Sequence, residues 1–275
     1  MYEVYIFDLY GTLVDIHTDE DLPYLWEKMS ELYAAQGAAY EPEELKKEMR
    51  RLEAEQKHML RETLLEKHLS MRQENALQEC LSKEQKDMSP AGAAAEELCV
   101  EPDLTSVFAQ LYEKKGHPVS KELAAMTAIT FRALSREYLR VYPGVKETLA
   151  KLHRRGRGVY LLSNAQRDFT RPELEMLGLT GLFDGIMISS EEGVKKPSKL
   201  FFDRLVARYG LDPNKCLMVG NEERSDIEGA IRAGMDSLYI HTNCSQEDTV
   251  SSRATYCVMN GGFEKAAELY LRKDL

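Results

Sequence analysis

A short apolar run that ends in an aspartate constrains this chain more than any other feature of its sequence. Residues 4–7 are a β-branched and aromatic run, typical of a strand buried on both faces, and Asp8 follows at once. Gly11 and Thr12 then allow a tight turn and place a hydroxyl beside the acid. In open parallel α/β sheets, ligands bind beyond the carboxyl ends of the strands. The stretch therefore predicts a strand that delivers a carboxylate to a site.

Length and composition restrict the classes of function. A chain of 275 residues suits one large domain, or a domain with a sizeable insertion. The 46 acidic and 36 basic residues give a net charge of −10, which argues against a nucleic-acid or anionic-membrane partner. Five scattered cysteines without a CxxC pair indicate neither a disulfide framework nor a zinc site. Without a signal sequence or an apolar run of ~20 residues, we expect a cytoplasmic protein whose oligomeric state is open.

Residues 16–140 are predicted to form an all-helical insertion. A polar linker around residues 15–23 leads into a glycine-poor block that reaches about residue 86, with apolar residues at helical spacing. The Ser-Pro-Ala-Gly sequence at residues 89–92 interrupts this block. Two further helices are predicted, one from Asp103 to about Lys115 and one from Leu123 to about Leu139.

After Pro143 and Gly144 the pattern changes to alternating strands and helices, which is typical of an α/β fold. Strands are predicted at residues 159–162, 185–188, 216–219, 237–240 and 255–258, and helices at residues 145–154, 199–209, 226–233 and 263–272. Strands separated by single helices imply right-handed crossovers and a parallel sheet.

Polar residues stand where several of these strands end, and all of them would face one crevice. Asp8 follows the first strand, Ser163 and Asn164 follow the second, and Glu222 with Asp226 follows the fourth. Lys195 and Lys196 follow the third strand, just before a predicted helix that begins around Pro197. Acids, a hydroxyl, an amide and a lysine together suit a phosphate and a magnesium ion.

Each residue type has a role in that chemistry. Mg²⁺ prefers hard oxygen ligands, which Asp8, the carbonyl of Tyr10, Glu222 and Asp226 could supply. Lys196, with Lys195 as the competing candidate, would bind phosphoryl oxygens, and Asp8 could attack phosphorus to form an aspartyl phosphate. The candidate phosphate- and substrate-binding residues are Thr12, Ser163, Asn164 and Tyr10, although Tyr10 could equally pack beneath the helical insertion.

Four motifs in this order resemble the haloacid dehalogenase-like hydrolase superfamily. They are Asp8-Leu9-Tyr10-Gly11-Thr12, Ser163-Asn164, Lys196-Pro197, and Gly220-Asn221-Glu222 with Asp226. The resemblance covers about residues 1–15 and 141–275. It implies a Rossmann-like parallel-sheet core made of those two segments, with the helical insertion at residues 16–140 as a cap domain over the active site.

Two departures from the motifs of that superfamily bear on the reaction. Tyr10 stands where its phosphatases have a second aspartate that protonates the leaving group, and a phenol with a pKa near ~10 is a poor acid at neutral pH. The resulting DxYGT motif is the form found in 2-haloacid dehalogenases, which bind no metal. Asn221 stands where many of the phosphatases have aspartate, and Glu222 could replace that ligand. Which of Asn221 and Glu222 faces the metal stays open.

Three functions follow from these residues. The first is a Mg²⁺-dependent phosphatase of a small phosphorylated metabolite. The second is a metal-independent 2-haloacid dehalogenase, which Tyr10 favours but the acidic pair Glu222 and Asp226 disfavours, because clustered anions repel a halocarboxylate. No arginine that would bind such a carboxylate is identified in the insertion. The third is a catalytically weak binding protein of the same fold. The insertion carries no motif that names a substrate.

Overall fold

The secondary structure is taken from a computed structural model that describes residues 2–82, 98–245 and 253–272. Within those ranges the strands are β1 (Val4–Phe7), β2 (Val14–Thr18), β3 (Arg136–Val141), β4 (Gly158–Ser163), β5 (Gly185–Ile188), β6 (Cys216–Gly220), β7 (Asp236–Ile240) and β8 (Tyr256–Val258). The α-helices are α1 (Pro23–Ala35), α2 (Pro42–Ser82), α3 (Leu104–Lys114), α4 (Lys121–Ser135), α5 (Val145–Arg154), α6 (Arg167–Met176), α7 (Ser189–Glu192), α8 (Lys199–Tyr209), α9 (Glu228–Arg232) and α10 (Gly262–Arg272).

Six of the strands form one parallel sheet in the order β5-β4-β1-β6-β7-β8. The central strand β1 pairs with β4 on one side and with β6 on the other, so that Val4 lies opposite both Gly158 and Cys216. The chain moves outward from β1 through β4 and β5, then crosses back to β6 and moves outward the other way. This order places the topological switch point beside β1, where α/β proteins bind their ligands. The predicted α/β class with a Rossmann-like parallel sheet is confirmed.

Helices cover both faces of the sheet, because the apolar side chains of β1 alternate between the two faces and are buried on both. Tyr5 and Phe7 belong to one buried cluster, which includes Leu149 of α5, whereas Ile6 belongs to a second cluster with Phe202 of α8. Successive side chains of a strand point to opposite faces, so β1 supplies apolar residues to both clusters. Because β1 is packed on both faces, its carboxyl end and the next residue, Asp8, are held in place within the molecule.

The helices α1 to α4 form a second packed unit, which we call the helical lobe. Its core is rich in aromatic side chains: the ring of Tyr33 stacks on Tyr112 at 4.1 Å between centroids, and Trp26 meets Phe131 edge to face at 5.6 Å. Phe169, which lies on α6 beside the parallel sheet, packs into the same cluster. The lobe and the sheet therefore share an apolar contact at α6.

An antiparallel ribbon of β2 and β3 connects the helical lobe to the sheet. The prediction that residues 16–140 are all helical is therefore wrong at both ends of the segment. The linker predicted at residues 15–23 is correct only for residues 19–22, which lie between β2 and α1. Helix α4 ends at Ser135 rather than near Leu139, because Arg136 already has extended backbone angles. Residues from Tyr138 to Val141 favour strands, and the ladder with β2 satisfies their backbone groups.

Most predicted boundaries in the remaining α/β segment are within two residues of the observed ones, but helix α6 and the short helix α7 were not predicted. Helix α6 contains Pro172, which lacks an N–H and normally ends a helical pattern, and it therefore leaves a weak sequence signal. The helix predicted at residues 226–233 begins instead with a π-helical turn at Glu223–Ile227 before α9. The break predicted at residues 89–92 lies outside the described residues.

Two expectations from composition can be compared with the part of the chain that is described. No described helix is both long and apolar enough to span a membrane. Cys99, Cys216, Cys244 and Cys257 are thiols and form no disulfide.

Candidate active site

Three charged side chains from distant parts of the chain meet beyond the carboxyl ends of β1 and β6. Lys196 Nζ donates hydrogen bonds of 2.7 Å to Asp8 Oδ1 and of 2.7 Å to Asp226 Oδ1. The three side chains are buried, with Lys196 only 2% and Asp8 only 8% exposed. The cluster therefore holds two carboxylates against one ammonium at the switch point of the sheet.

The backbone of Lys196 is held by the side chain of Asn164. Asn164 Nδ2 donates to the carbonyl oxygen of Lys196 at 3.0 Å, and Asn164 Oδ1 accepts from the Lys196 amide at 2.9 Å. The Lys196–Pro197 peptide bond is cis. The amide of Asn164 therefore positions the lysine, and the predicted role of Asn164 in phosphate binding stays a prediction. Lys195, the competing lysine, is paired with Glu101 at 3.0 Å and lies away from the two carboxylates.

Asp226 is fixed by the turn that follows β6. Its Oδ2 accepts from the backbone amide of Glu222 at 3.0 Å, and its own amide donates to the carbonyl of Glu222 at 2.9 Å. A Cβ on Gly220 would lie 2.2 Å from Asp226 Oδ2, so a side chain at that position is excluded. The carboxylate of Glu222 accepts a 2.5 Å hydrogen bond from Ser225. Glu222 thus faces the turn as well as the site.

The loop after β1 brings Thr12 back toward the acid. Thr12 Oγ1 lies 3.3 Å from Asp8 Oδ2 and 3.1 Å from Asn221 Oδ1, and the side chain is fully buried. Gly11 has a φ of +85°, and a Cβ there would lie 2.5 Å from the Asn221 side chain. Glycine is therefore required by both backbone conformation and space. Asn221 is held by the loop that follows β1, which leaves open whether Asn221 or Glu222 would face a metal.

Tyr10 turns its hydroxyl away from the carboxylate–lysine cluster. The phenol lies 2.5 Å from Glu173 Oε2 and 3.1 Å from Thr170 Oγ1, both on α6. Glu173 is 2% exposed and also accepts from Arg132 of the helical lobe and from Arg136 of β3. Burial and the nearby Glu173 carboxylate raise the pKa of Tyr10 further above its ordinary value. Sequence reasoning did not find this network, because helix α6 was not predicted.

Ser163 stands at the end of β4, as predicted, but its hydroxyl is enclosed. The side chain is fully buried, and its Oγ has no hydrogen-bond partner among the described residues. An unpartnered buried hydroxyl is uncommon in folded proteins. The role of Ser163 in phosphate binding stays a prediction.

The electrostatics of the cluster leave it short of positive charge. Burial raises the pKa of Asp8 to about 6, with a further increase from Asp226 and an opposing effect of Lys196. Burial disfavours the charged form of Lys196, but the adjacent carboxylates of Asp226 and Asp8 outweigh it and raise the pKa of the ammonium. Lys196 is therefore charged at neutral pH, and one ammonium only partly balances the two acids.

A cleft of about 570 Å³ opens onto this cluster, and a second cavity of about 350 Å³ adjoins it. We call the second cavity the side chamber. Tyr10, Ile16 and Asn164 line both cavities, so these residues lie at the boundary between them. The side chamber is also lined by residues of the helical lobe, including Met49, and has room for a small leaving group.

The residues at the cluster fit a magnesium ion in chemical type. Among the described residues, no group of three or more histidine, cysteine, aspartate or glutamate side chains is arranged as a metal site. Mg²⁺ needs no such cage, since it binds through one or two carboxylates and keeps several waters. Asp8 and Asp226 lie within reach of one another, because both contact the same ammonium nitrogen. Their uncompensated charge favours an added cation.

A protein-family model described as haloacid dehalogenase-like hydrolase matches residues 2–234 of this chain. Phosphoserine phosphatase of Thermus thermophilus is 32% identical over 146 residues, which cover 53% of this chain and 57% of that protein. Glyceraldehyde 3-phosphate phosphatase of Methanothermobacter thermautotrophicus is 30% identical over 126 residues, which cover 46% and 56%. The matched segments thus span less than three fifths of either relative.

Solved structures resemble the chain over almost its whole length. A 2-haloacid dehalogenase from Pseudomonas syringae has a TM-score of 0.56 and 18% identity, with 99% of both chains covered. A phosphatase from Thermococcus onnurineus has a TM-score of 0.52 and 17% identity, with 98% of this chain and 97% of that chain covered. At these identities the likeness establishes the fold alone.

Proposed function

Because the chain belongs to the haloacid dehalogenase-like hydrolase family, we propose that it is a Mg²⁺-dependent phosphatase of a small phosphorylated metabolite. The buried contact of Lys196 with Asp8 and Asp226 supports the proposal, since it brings together a candidate nucleophile, a cation and a second acid. The two phosphatase relatives are in keeping with it. Residues 1–15 and 141–275 are the proposed core domain, and residues 16–140 the proposed cap.

In the proposed reaction, Asp8 is the nucleophile. Lys196 holds Oδ1, which leaves Oδ2, with its longer contact to Thr12, as the attacking oxygen. The new bond joins Oδ2 to phosphorus while the bond from phosphorus to the leaving oxygen breaks. Water then attacks the phosphorus of the aspartyl phosphate, the bond from phosphorus to Oδ2 breaks, and inorganic phosphate leaves while the Asp8 carboxylate is restored. Lys196 stabilises the negative charge that develops on the phosphoryl oxygens.

The metal ligands in this proposal are Asp8, the carbonyl of Tyr10, Asp226 and Glu222. When bound there, Mg²⁺ would neutralise charge on the phosphate and so reduce repulsion between the substrate and the acids. Asp226 is the best supported of the ligands, because it is fully buried beside Asp8. Glu222 is less well supported, because its carboxylate already accepts from Ser225.

A 2-haloacid dehalogenase is the second candidate, and Tyr10 is the observation that favours it. A halide leaves without a proton, so such an enzyme needs no acid at that position. The substrate carboxylate would need a cationic partner near Asp8. Arg132 lies 5.3 Å from the Tyr10 ring, but its guanidinium is already bonded to Glu173. This pairing disfavours the dehalogenase.

Product release from a defined panel tests these candidates. The purified chain should release phosphate from aryl, acyl and alkyl phosphates only with Mg²⁺, and should release no halide from 2-chloropropionate. The Asp8→Asn variant, purified in parallel, controls for contaminating phosphatases, and we expect it to be inactive. Halide release without metal would replace the proposal with the dehalogenase. Failure to turn over either class would leave the third candidate, a binding protein with this fold.

A further inference from the structure

Glu173 is a buried carboxylate that the proposed chemistry does not use. It lies on α6 with 2% of its surface exposed. Arg132 donates to it at 2.7 Å through Nε and at 3.3 Å through Nη2, and Arg136 donates at 2.8 Å. Tyr10 lies 2.5 Å from its Oε2. A buried carboxylate with this many partners is costly to move, because each partner would lose a charged hydrogen bond.

The partners of Glu173 come from three separate parts of the molecule. Tyr10 is two residues after Asp8, in the loop that follows β1. Arg132 lies in the last turn of α4, in the helical lobe, and Arg136 begins the ribbon strand β3. One carboxylate on α6 therefore joins the loop after β1, the helical lobe and the β2–β3 ribbon.

These contacts fix the orientation of the Tyr10 side chain. An ionised carboxylate only accepts hydrogen bonds, so the phenol must donate its proton to Glu173. Arg132 adds a second restraint, with its guanidinium 5.3 Å from the centre of the Tyr10 ring. The ring is thereby held at the boundary between the cleft and the side chamber, both of which it lines.

We infer that Glu173 is a positioning residue and a determinant of specificity, which acts through Tyr10 to seat the leaving group between the cleft and the side chamber. This inference rests on the proposed function for its kinetic consequence. This role can be distinguished from a purely structural one. A structural ion pair at Glu173 would affect folding, but its effect would not depend on the Tyr10 hydroxyl. The hydrogen bond to Glu173 also explains why Tyr10 has no free proton for a leaving group.

A double-mutant cycle on Tyr10→Phe and Glu173→Gln tests the inference. With an aryl phosphate and Mg²⁺, we expect each single variant to lower kcat/KM by about tenfold. The double variant should be within about twofold of the singles, since both changes remove the same hydrogen bond. The matched control is Glu192→Gln, because Glu192 is also a largely buried acid that contacts two arginines, Arg204 and Arg208. It should leave kcat/KM within about twofold of the unchanged protein.

A second readout needs no substrate and separates this inference from the proposed function. Amide hydrogen exchange in residues 9–14 should rise by about tenfold in both single variants and no further in the double variant. Exchange should be unchanged in Glu192→Gln. If Glu173→Gln does not fold, Tyr10→Phe must still raise exchange, since it keeps both arginine contacts. The inference would be overturned if the effects of the two substitutions on kcat/KM multiplied in the double variant. It would also be overturned if amide exchange in Tyr10→Phe were unchanged. If the unchanged protein has no phosphatase activity but amide exchange responds to the substitutions as expected, only the proposed function is overturned.

Discussion

Lys196 Nζ lies 2.7 Å from Asp8 Oδ1, so the proposed nucleophile and a buried ammonium form a direct ion pair. The same nitrogen contacts Asp226, which makes Lys196 the single cation between two buried acids. Removing one partner of a buried ion pair leaves uncompensated charge in a low-dielectric site, and this costs more than the loss of an exposed pair. The neighbouring Lys195 offers a natural comparison, because its side chain is 34% exposed and contacts only Glu101 among the ion pairs described.

We therefore expect Lys196→Met to lower the free energy of unfolding by about 3 kcal/mol and Lys195→Met by less than about 1 kcal/mol. Urea unfolding of both variants at neutral pH measures the difference. Turnover should also be lost in Lys196→Met alone. Equal destabilisation by the two substitutions would show that Lys196 is not the buried cation.

Substitution of Asp8 by asparagine should stabilise the metal-free protein in a pH-dependent way. Burial raises the pKa of Asp8 from 3.8 to about 6, so the ionised form disfavours the folded state. Below about pH 3 the group is protonated in both states and the substitution changes little. As the pH rises toward about 6, Asp8 ionises first in the unfolded chain, which lowers the stability of the unchanged protein. This loss of stability is complete above that pH.

In the presence of a chelator, we expect Asp8→Asn to be more stable than the unchanged protein by about 2 kcal/mol at pH 7.5. Urea unfolding of both proteins from pH 4 to pH 8 measures the trend. The advantage of the variant should shrink toward zero at the acid end. A constant difference across the range would contradict the assignment of a raised pKa to Asp8.

Magnesium should stabilise the folded protein through the two buried acids. At a concentration about 100 times its dissociation constant, a ligand adds about 2.7 kcal/mol to the stability of a folded chain. We expect Mg²⁺ to raise the melting temperature by several degrees, and Asp226→Asn to abolish this rise. Glu192→Gln should keep the full rise, because Glu192 pairs with arginines of α8.

The same melting experiment tests whether Glu222, the second residue after Gly220, is a metal ligand. If Glu222 is a metal ligand, Glu222→Gln will reduce the rise caused by Mg²⁺. If it serves only the turn through Ser225, the rise will stay and the melting temperature without metal will fall.

The sheet could be predicted because its strands are short apolar runs that end sharply. β1 and β5 were predicted with the observed bounds, since buried parallel strands leave continuous apolar segments. The proximity of Asp8 and Asp226 followed from the rule that strands of a parallel sheet present their carboxyl ends at one edge. The rule applies only to parallel sheets, and the alternation of strands and helices in the sequence predicts a parallel sheet.

The contacts between side chains could not be predicted in the same way. Nothing in the sequence indicates that Asn164 would hold the backbone of Lys196, since an amide at a strand end serves ligand or chain equally well. The partner of Tyr10 was missed because Pro172 weakens the pattern of α6, which carries Glu173. The ribbon at Arg136 was missed because its spacing continues that of α4, and only pairing with β2 distinguishes the two.

The orientation of Tyr10 predicts which substrates the protein can hydrolyse. An alkyl leaving group departs as a strongly basic alkoxide unless an acid protonates it, and general acid catalysis contributes roughly 10² to 10⁴ in rate. The phenol donates to Glu173, and its pKa is raised by burial and by that carboxylate, so it supplies little such catalysis. Aryl and acyl phosphates have good leaving groups and lose far less from the missing acid.

We accordingly expect Mg²⁺-dependent hydrolysis of aryl and acyl phosphates to exceed that of sugar phosphates. Tyr10→Asp should raise the rate on sugar phosphates relative to aryl phosphates by about tenfold or more, because it introduces a carboxylic acid at the boundary of the cleft. Steady-state kinetics on matched aryl and alkyl substrates measure the ratio, and Tyr10→Phe is the control because it removes the hydroxyl without adding an acid. Equal rates on both classes, with a ratio unchanged in Tyr10→Asp, would mean that another residue supplies the proton or that proton transfer does not limit the reaction.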